Sequence, residues 1–470
     1  MRRTKTICTI GPSSDTKTKI NLLIKNGMNV ARLNFSHGQH TWFAKTIQSI
    51  RQEAKKNNTF IPILQDLCGP KIRLGQYPAG GMAIKQDEKI IIAYKPNTNL
   101  QSKKNLLDCN LNLTAYLKKG QIILLDDGKA QLEVLSVNKK EKYATFISQS
   151  NHYLKNNKGI NLPATPTDIS SLTSKDINDL VFGLKYNIEY IALSFVKTAK
   201  DITKLQNILQ KHRVKSKIIA KIETALSLDN IDEIIQVADG IMVARGDLGL
   251  ETPIEELATI QKIIVEKCIN AHKPVIVATQ MLASMTNNPI PTRAEATDVA
   301  NAVFDNADAV MLSEETAAGN FPIKSINTLS RICAYTDQNC YHPDNGFIHI
   351  DRHDQISSIA HSACHAAIDI DAKYIIVPSC TGQTVRIVAS HRPPVPIIAC
   401  TNNPILCNQL NLLWGTTPML TKSDKNYEMI PEIIKQLNHT KQLAKGDKIV
   451  IVVSSNLTRL EADQMQIKTI

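Results

Sequence analysis

The chain has 470 residues, of which 43% are hydrophobic and 21% charged, a composition typical of a folded globular protein with about two to four domains. Its net charge of +12 is consistent with simple solubility or with binding phosphate-bearing metabolites. Because the lysines and arginines form no dense basic block and aromatic residues make up only 5%, we do not expect a nucleic-acid-binding surface.

Eight short apolar runs occur along the chain, separated by helix-length segments. They cover 6–10, 30–35, 61–66, 190–196, 217–223, 240–244, 274–279 and 309–313. A helix is predicted over 17–26, ended by Gly27, and another after a capping box formed by Thr292 and Glu295. Strands that alternate with helices predict an α/β fold, with a closed (β/α)8 TIM barrel favoured and a doubly wound open sheet as the alternative.

Polar residues of these runs fall at or just past their carboxyl ends. They are Arg32, Asn34, Asp66, Lys221, Glu223, Asp247, Thr279 and Ser313. In a (β/α)8 barrel the carboxyl ends of the strands form one rim, on which active sites are built. A single strand-end carboxylate is more often a helix cap or a solvated loop residue. The two cations, three carboxylates and two hydroxyls on one rim nevertheless predict an anion- and metal-binding enzyme.

A segment of different character separates the third and fourth runs. Short β runs at 89–94 and 121–125 are followed by the turn 126–129, and then Leu132, Val134 and, less regularly, Ser136 alternate with polar residues. The sequence therefore predicts an inserted all-β domain over 70–163. A domain at this position acts as a lid over the site or is a passive addition.

The last third of the chain repeats the α/β pattern. A helix over 355–370 and strands over 374–377, 395–399 and 448–453 indicate a compact βαβ domain. Its turn 379–384 leads from a strand into a helix and carries a candidate phosphate site, formed by Ser379, Thr381 and Thr384. Ordinary capping of the helix by Thr381 accounts for the same residues. The sequence contains no Walker A loop and no G-x-G-x-x-G motif.

Cysteine usage and hydropathy predict a cytoplasmic protein that does not enter the membrane. The ten cysteines show no C-x-x-C spacing, and no secretory signal opens the chain. No apolar stretch is long enough to span a bilayer. We therefore expect reduced thiols and a cytoplasmic location.

Several longer strings resemble the pyruvate kinase family. They are 6–12 (TICTIGP), 31–38 (ARLNFSHG), 157–163 (NKGINLP), 221–223 (KIE), 242–249 (MVARGDLG), 278–282 (ATQML), 291–295 (PTRAE) and 298–303 (DVANAV). The strings follow the family's order and cover the chain from residue 4 to about 320. The C-terminal third matches the family in its pattern of strands and helices more than in residue identity.

The resemblance implies both an architecture and a reaction. It implies a barrel over 1–69 and 164–340, a β-rich lid over 70–163, a C-terminal regulatory α/β domain over 341–470, and a homotetramer. The implied reaction is the transfer of a phosphoryl group from phosphoenolpyruvate to ADP, which gives pyruvate and ATP in glycolysis. Mg²⁺ or Mn²⁺ is the expected cofactor.

The resemblance also assigns roles to individual residues. Glu223 and Asp247 match the carboxylates that hold the divalent cation, which suits a hard cation that takes its other ligands from substrate. Lys221 matches the lysine beside the transferring phosphoryl group, where charge neutralisation is the main requirement. Arg73 and Lys158 match contacts to the nucleotide phosphates.

Further roles concern the pyruvate moiety and its proton. Arg32 matches an active-site arginine of the family. The backbone of Gly246 with Asp247, and the side chain of Thr279, match the site of the pyruvate moiety. Thr279 and Ser313 lie where the family's proton relay to the enolate is thought to run, although the proton donor itself is not identified.

The segment DLCGPKIR at 66–73 departs from the family, many of whose members have DTKGPEIR there and need K⁺. In those members K⁺ lies among residues that match Asn34, Ser36, Asp66 and Leu67. Because the ammonium of Lys71 can replace a monovalent cation near Asp66, the departure predicts activity that does not require K⁺. The alternative is that Lys71 faces solvent and K⁺ still binds.

Two other departures concern the eighth strand and the tail. Glu314 stands where the family usually has Gly, and the family's Glu matches Glu315, so Ser313 and Glu315 are both site candidates. The segment 454–459 lacks the Gly-rich loop that closes over a sugar bisphosphate in some relatives, so activation by fructose 1,6-bisphosphate is not expected. The alternatives are a sugar monophosphate or AMP at the candidate phosphate site, and no effector at all.

Two other functions compete with this interpretation. Another barrel enzyme that handles phosphoenolpyruvate or pyruvate, such as a mutase, aldolase or lyase, would also use Mg²⁺ with an acidic pair. Such enzymes lack the inserted lid and do not need ADP. A degenerate barrel whose basic surface binds nucleic acid is the non-enzymatic alternative, and the complete set of rim residues argues against it.

Overall fold

The structure is a computed structural model that describes residues 2–76, 80–96, 100, 105–163, 165, 168–339, 355–453 and 463–470. Positions 164, 340 and 341, at predicted domain bounds, and the tail segment 454–459 lie outside the described residues. The domain bounds therefore stay predictions. Among the described helices, none is long and apolar enough to cross a membrane.

The chain begins with the first part of the barrel. Its elements are β1 (Lys5–Thr9), α1 (Lys17–Lys25), β2 (Val30–Asn34), α2 (His40–Lys56) and β3 (Ile63–Asp66). The Thr16 hydroxyl caps α1 by accepting a hydrogen bond from the Lys19 amide, and Gly27 follows the helix with a φ of +113° that favours glycine. The predicted helix and its stop are thus confirmed.

An inserted segment of β-strands follows β3. It contains β4 (Gly81–Ile84), β5 (Lys89–Tyr94), β6 (Leu106–Cys109), β7 (Ile122–Leu125), β8 (Ala130–Asn138), β9 (Tyr143–Ser148), β10 (His152–Lys155) and β11 (Ile160–Asn161). Six of these strands form one sheet in the order β11-β7-β8-β9-β5-β6, and β10 pairs with β4 in a second sheet. The alternation in β8 fails at Ser136 because the pairing with β9 shifts register between Val134 and Ser136.

Five further parallel strands then close the barrel. They are β12 (Tyr190–Leu193), β13 (Lys217–Ile222), β14 (Gly240–Ala244), β15 (Val275–Ala278) and β16 (Ala309–Leu312). The closed order is β1-β16-β15-β14-β13-β12-β3-β2, with β16 hydrogen-bonded back to β1. The eight predicted strands are confirmed, and the closed ring excludes the open sheet.

Helices surround this barrel. They are α3 (Ser174–Leu184), α4 (Ala199–Lys211), α5 (Ala225–Asp229), α6 (Ile231–Val237), α7 (Arg245–Glu251), α8 (Leu257–Asn270), α9 (Arg293–Phe304), α10 (Glu314–Ala317) and α11 (Pro322–Asn339). The predicted capping box of α9 is present, because Thr292 and Glu295 each accept a hydrogen bond from the other's backbone amide. Val299 and Val303 of this helix are buried.

The C-terminal part is an α/β unit around a five-stranded sheet. Its elements are α12 (Gln355–Asp369), β17 (Tyr374–Pro378), α13 (Gln383–Ser390), β18 (Ile397–Thr401), α14 (Pro404–Leu410), β19 (Thr416–Leu420), α15 (Asn426–His439), β20 (Lys448–Val453) and β21 (Gln464–Thr469). The strand order is β19-β18-β17-β20-β21, and β21 is antiparallel to β20. The sequence predicted β17, β18 and β20 but missed the two edge strands.

The C-terminal unit packs against the amino end of the barrel. Leu412 joins the apolar cluster inside the barrel, which includes Ile7 and Met242. The Tyr190 hydroxyl donates a 2.6 Å hydrogen bond to the Gln409 carbonyl. The C-terminal unit therefore closes the end of the barrel opposite the rim that carries the polar residues.

Candidate active site

The barrel rim gathers most of the predicted site residues around one pocket of about 80 Å³. Its walls include the predicted residues Arg32, Asn34, Ser36, Asp66, Lys71, Lys221, Glu223, Asp247 and Thr279. They meet because the carboxyl ends of parallel barrel strands converge on one face. Three of them, Lys221, Glu223 and Asp247, are thus neighbours in space although they come from three different positions of the chain.

Lys221 lies at the centre of a buried charge network. Its Nζ is 2.8 Å from Glu223 Oε1 and 3.2 Å from Asp66 Oδ1, and it donates a 2.8 Å hydrogen bond to the Ser194 hydroxyl. Burial alone would lower the pKa of Lys221, but the charges of Asp66 and Glu223 outweigh burial and raise that pKa above its usual value. The ammonium is therefore a fixed positive charge at neutral pH.

Asp66 links Lys221 to Arg32. The Arg32 Nε donates a 2.7 Å hydrogen bond to Asp66 Oδ2, and Arg32 Nη1 donates one of 2.8 Å to the Thr9 hydroxyl. Burial would raise the pKa of Asp66, yet the charges of Lys221 and Arg32 hold that pKa below its usual value. Both cations are thus held in place by an ionised carboxylate beneath the pocket.

The two predicted metal ligands differ in their surroundings. Glu223 is buried, and its Oε2 accepts a 2.7 Å hydrogen bond from the Phe195 amide. The carboxylate of Asp247, by contrast, makes no hydrogen bond or ion pair with any residue in the described part of the chain. Burial and the nearby charge of Glu223 raise the pKa of Asp247 to about 6. An unneutralised carboxylate beside a second acid fits a cation.

Thr279 has a strained backbone at the pocket wall. Its φ of +68° lies in the left-handed region, which is rare for a β-branched residue and common at functional sites. The Gly246 amide donates a 2.7 Å hydrogen bond to the Thr279 hydroxyl, and Arg245 Nη2 donates one of 2.8 Å to the Thr279 carbonyl. The end of β15 is thus held against the start of α7.

Ser313 directly follows the eighth barrel strand, as predicted, but lies outside the small pocket. Ser313 precedes α10 and does not line the pocket; its amide donates a 2.7 Å hydrogen bond to Glu315 Oε2. Glu315 is buried and also accepts a 3.1 Å hydrogen bond from the Leu282 amide, and burial raises its pKa. Through these two hydrogen bonds Glu315 connects the loop after β15 to the start of α10. Glu314 is exposed and lines a neighbouring cavity.

A larger cavity of about 530 Å³ lies between the rim and the inserted strands. Arg73 and Lys158 line it, and its walls share Lys71 and Asp247 with the smaller pocket. Partial desolvation and the charges of Lys71, Arg73 and other cations lower the pKa of His37, another residue of the wall. The cations on this side of the cavity suit phosphate groups, although six Asp and Glu side chains also line the cavity.

Leu67 is the member of the predicted monovalent-cation region that stays outside the pocket. Its side chain is buried in the core around the barrel, and its carbonyl accepts a 2.7 Å hydrogen bond from the Ser194 hydroxyl. Asn34, Ser36, Asp66 and Lys71 do line the pocket. The side chain at position 67 therefore does not reach the pocket that the other four residues line.

The candidate phosphate site of the C-terminal unit forms a tight turn before α13. The Ser379 hydroxyl accepts a 2.8 Å hydrogen bond from the Gly382 amide, and the Thr381 hydroxyl accepts a weaker one of 3.4 Å from the Gln383 amide. Thr384 is buried in the first turn of α13. Gly382, with a φ of +80°, occupies the cap position before the helix, so the alternative in which Thr381 is the cap residue is wrong.

Sequence reasoning missed three residues that hold the site together. The Ser194 hydroxyl accepts a hydrogen bond from the Lys221 ammonium, and the Phe195 amide donates one to the Glu223 carboxylate. The Arg245 guanidinium donates one to the Thr279 carbonyl. Ser194 and Phe195 stand at the end of the fourth strand on the same rim, so their position was the available signal. Arg245 is buried against Asp298 at 2.7 Å, and nothing in its local sequence indicates this contact.

Two family models and a solved structure match this chain. The family model described as "Pyruvate kinase, barrel domain" matches residues 1–326, and the one described as "Pyruvate kinase, alpha/beta domain" matches residues 357–467. A crystal structure of a pyruvate kinase from Cryptosporidium parvum has a TM-score of 0.92 and 35% identity to this chain, covering 100% of this chain and 96% of that one.

Curated relatives give the same result. The pyruvate kinase of Geobacillus stearothermophilus is 40% identical over 458 residues, which are 96% of this chain and 77% of the relative. That of Sporosarcina psychrophila is 39% identical over 456 residues, with the same shares of each chain. The matches do not favour the mutase, aldolase or lyase alternative. The chain belongs to the pyruvate kinase family and is a phosphotransferase with that activity.

Proposed function

We propose that phosphoryl transfer from phosphoenolpyruvate to ADP takes place where the small pocket meets the large cavity, with Lys221 beside the transferring group. The observation that carries the proposal is that Lys221, Glu223 and Asp247 line one pocket whose walls continue into a cavity lined by Arg73 and Lys158. Phosphoenolpyruvate then occupies the small pocket and ADP the large cavity. After the transfer, pyruvate lies in the small pocket and ATP in the large cavity.

Glu223 and Asp247 are the proposed ligands of the divalent cation, Mg²⁺ or Mn²⁺. The family generally uses Mg²⁺, and no cluster of three or more His, Cys, Asp or Glu residues within the described ranges forms a complete metal site. Two carboxylates fit a hard cation that completes its coordination with substrate oxygens and water. When bound, the cation neutralises developing charge on the substrate oxygens.

Lys221 and Arg32 are the proposed catalytic cations of the protein itself. Asp66, Glu223, Ser194 and Thr9 hold them before substrate arrives, so little reorganisation is needed during the reaction. A unit charge at roughly 4 Å from another, with an effective dielectric of about 20, contributes about 4 kcal/mol. If that attraction is realised only in the transition state, it accelerates transfer by about three decades.

The pyruvate moiety is proposed to lie against Gly246, Asp247 and Thr279. The hydrogen bond between the Gly246 amide and the Thr279 hydroxyl keeps both groups together at the pocket wall. Thr279 and Ser313 are the proposed members of the proton relay to the enolate. Ser313 does not line the pocket, so its proposed part in the relay is indirect, through the loop before α10.

Lys71 is proposed to replace the K⁺ that many family members need. It lines the small pocket with Asn34, Ser36 and Asp66, and its charge acts on Asp247, whose pKa it lowers against the larger effects of burial and Glu223. A tethered ammonium in this pocket supplies a positive charge at every K⁺ concentration.

The test is the rate of ATP formation from phosphoenolpyruvate and ADP with Mg²⁺, measured with and without KCl in buffer free of Na⁺. We expect full activity without K⁺; a rise of about tenfold or more on adding KCl would contradict the Lys71 proposal. Lys71→Gln should lose activity that KCl partly restores, because it keeps the length but not the charge. Lys139→Gln, at an exposed turn of the inserted segment, is the matched control.

For the C-terminal unit we propose that Ser379, Thr381 and Thr384 hold the phosphate of a sugar monophosphate or of AMP, if any effector binds. The supporting feature is the turn into α13, whose hydroxyls and amides are close together. Addition of sugar monophosphates, AMP and fructose 1,6-bisphosphate to the same assay tests this. No response to any of them leaves a domain without an effector.

We also propose a cytoplasmic homotetramer that binds neither nucleic acid nor membrane. The support is the similarity to the family together with the absence of a membrane-crossing helix among the described residues. Light scattering of the purified chain should give a mass of about four times 52.1 kDa. A monomeric mass at micromolar concentration would overturn the assembly.

A further inference from the structure

His152 of the inserted segment lies directly behind the proposed nucleotide subsite. Its Nε2 is 2.9 Å from Asp126 Oδ2, and Asp126 Oδ1 is 2.6 Å from the Lys158 ammonium. Asp126 and Lys158 line the large cavity, whereas His152 does not. The three side chains thus form a line from the interior of the inserted segment to the cavity wall.

The fold brings these residues together from two separate sheets. Asp126 follows β7 and Lys158 precedes β11, and these strands are neighbours in the six-stranded sheet. The Asp126 amide donates a 3.2 Å hydrogen bond to the carbonyl of Gly159, which is adjacent to Lys158. His152 belongs to β10, which pairs with β4 in the two-stranded sheet. Asp126 therefore joins a side chain of the two-stranded sheet to Lys158 beside the six-stranded sheet.

We infer that His152 is a positioning residue for nucleotide binding, which acts through Asp126 to aim the Lys158 ammonium into the cavity. The inference rests on the proposed function, in which Lys158 contacts the ADP phosphates. A carboxylate only accepts hydrogen bonds, so the His152 nitrogen that faces Asp126 carries the proton. That bond occupies Oδ2 and turns Oδ1 toward Lys158.

The bond geometry distinguishes the two partners of Asp126. Oδ2 has a hydrogen bond from His152, whereas Oδ1 forms an ion pair with Lys158 at 2.6 Å. Burial would raise the pKa of Asp126, yet Lys158 and His152 hold it below its usual value. The arrangement therefore combines a fixed carboxylate with a lysine whose ammonium can exchange the carboxylate for a phosphate oxygen.

Loss of His152 should weaken nucleotide binding without affecting the chemistry. Without the ring, Asp126 can rotate, and the ammonium loses its fixed position over the cavity. Phosphoenolpyruvate is proposed to bind in the small pocket, which contains none of these three residues. The effect should therefore fall on the KM for ADP and leave the KM for phosphoenolpyruvate and kcat unchanged.

Steady-state kinetics of the full-length enzyme with saturating Mg²⁺ tests the inference. We expect His152→Ala to raise the KM for ADP about fivefold, the equivalent of one modest hydrogen bond. His152→Gln keeps an N–H at the place of Nε2 and should restore the KM for ADP to within about twofold of the original value. Tyr153→Ala, at the exposed neighbouring residue, is the control and should change nothing.

Lys158→Ala separates this inference from the proposed function. If Lys158→Ala leaves the KM for ADP unchanged, the proposed role of Lys158 fails, and the inference with it. If Lys158→Ala raises that KM but His152→Ala does not, the inference alone is overturned. It is also overturned if His152→Gln behaves like His152→Ala, or if His152→Ala lowers kcat. In the double variant, His152→Ala should add nothing to the effect of Lys158→Ala.

Discussion

Residues at the ends of the barrel strands were the most predictable part of the site. Arg32, Asp66, Lys221 and Glu223 all stand at strand ends, and the barrel geometry alone brings such positions together. Their partners were less predictable, because contacts such as that between Ser194 and Lys221 depend on side-chain directions that a strand pattern does not specify. The roles of all these residues stay predictions until variants are measured.

Lys221→Met should abolish most of the activity. We expect kcat to fall by about three decades, because methionine fills the space but supplies no charge. The change also leaves Glu223 and Asp66 buried with one cation fewer, which should cost about 3 kcal/mol of stability. Coupled-assay kinetics and a thermal melt measure the two effects.

Lys217→Met is the matched control for this substitution. Lys217 lies at the other end of the same strand, and its ion pair with Asp239 is about one-third exposed on both sides, at 34% and 32%. Removal of an exposed pair should cost less than about 1 kcal/mol and leave kcat unchanged. A Lys221→Met enzyme as active as this control would show that the charge assignment is wrong.

At the scale of elements, the predictions succeeded where burial was strong and failed where it was weak. The barrel strands are buried at nearly every residue, so their apolar runs stand out from the sequence. The missed strand β21 is exposed at every residue, and β19 contains Pro418. Both are edge strands, where proline and polar residues are tolerated and the apolar pattern is lost.

Thr292→Ala tests the cap that starts α9. The Thr292 hydroxyl accepts the Glu295 amide, and Glu295 in turn accepts a 2.7 Å hydrogen bond from the Ser284 amide after β15. Loss of the cap should destabilise the protein by about 1 kcal/mol and lower the apparent Tm by about 2 °C. Differential scanning calorimetry under identical conditions gives the comparison.

Thr297→Ala in the same helix is its control. The exposed Thr297 hydroxyl only donates to the Arg293 carbonyl within the helix, and alanine is the better helix former. Its Tm should therefore stay the same or rise slightly. Equal losses of Tm in the two variants would mean that the capping box contributes nothing specific.

At the scale of the whole molecule, buried polar contacts join the barrel to the C-terminal unit. Arg392 pairs with Asp308 at 2.8 Å, and both side chains are buried. The Lys5 ammonium, at the start of β1, donates a 2.5 Å hydrogen bond to the Thr416 carbonyl of β19. Such long-range pairs follow from how domains dock, and no sequence pattern within either domain predicts them.

Lys5 makes stability depend on pH. Burial, followed by the charge of Arg2, lowers the pKa of Lys5 to about 7, whereas an unfolded lysine has a pKa of about 10.4. Between these values the unfolded chain binds the extra proton, so stability rises with pH. From about pH 6 to about pH 8 the contribution of Lys5 should increase by about 1.4 kcal/mol.

Lys5→Met removes this dependence. The original protein gains stability between about pH 6 and pH 8, whereas the variant does not. We therefore expect the Tm of the variant minus the Tm of the original protein to be about 2 °C lower at pH 8 than at pH 6. Lys17→Met, at an exposed lysine of α1, should show no such trend. A Tm difference that is flat with pH would mean that Lys5 stays protonated in the folded state.

The position of Leu412 gives a reason why evolution can retain the C-terminal unit. It completes the apolar interior of the barrel from outside the barrel's own sequence. A chain that stopped after α11 would admit water into the barrel from the end opposite the active site and would leave the buried Asp308 without its arginine. Selection can therefore retain this unit for the integrity of the catalytic domain alone, even in a lineage that has lost every regulatory ligand.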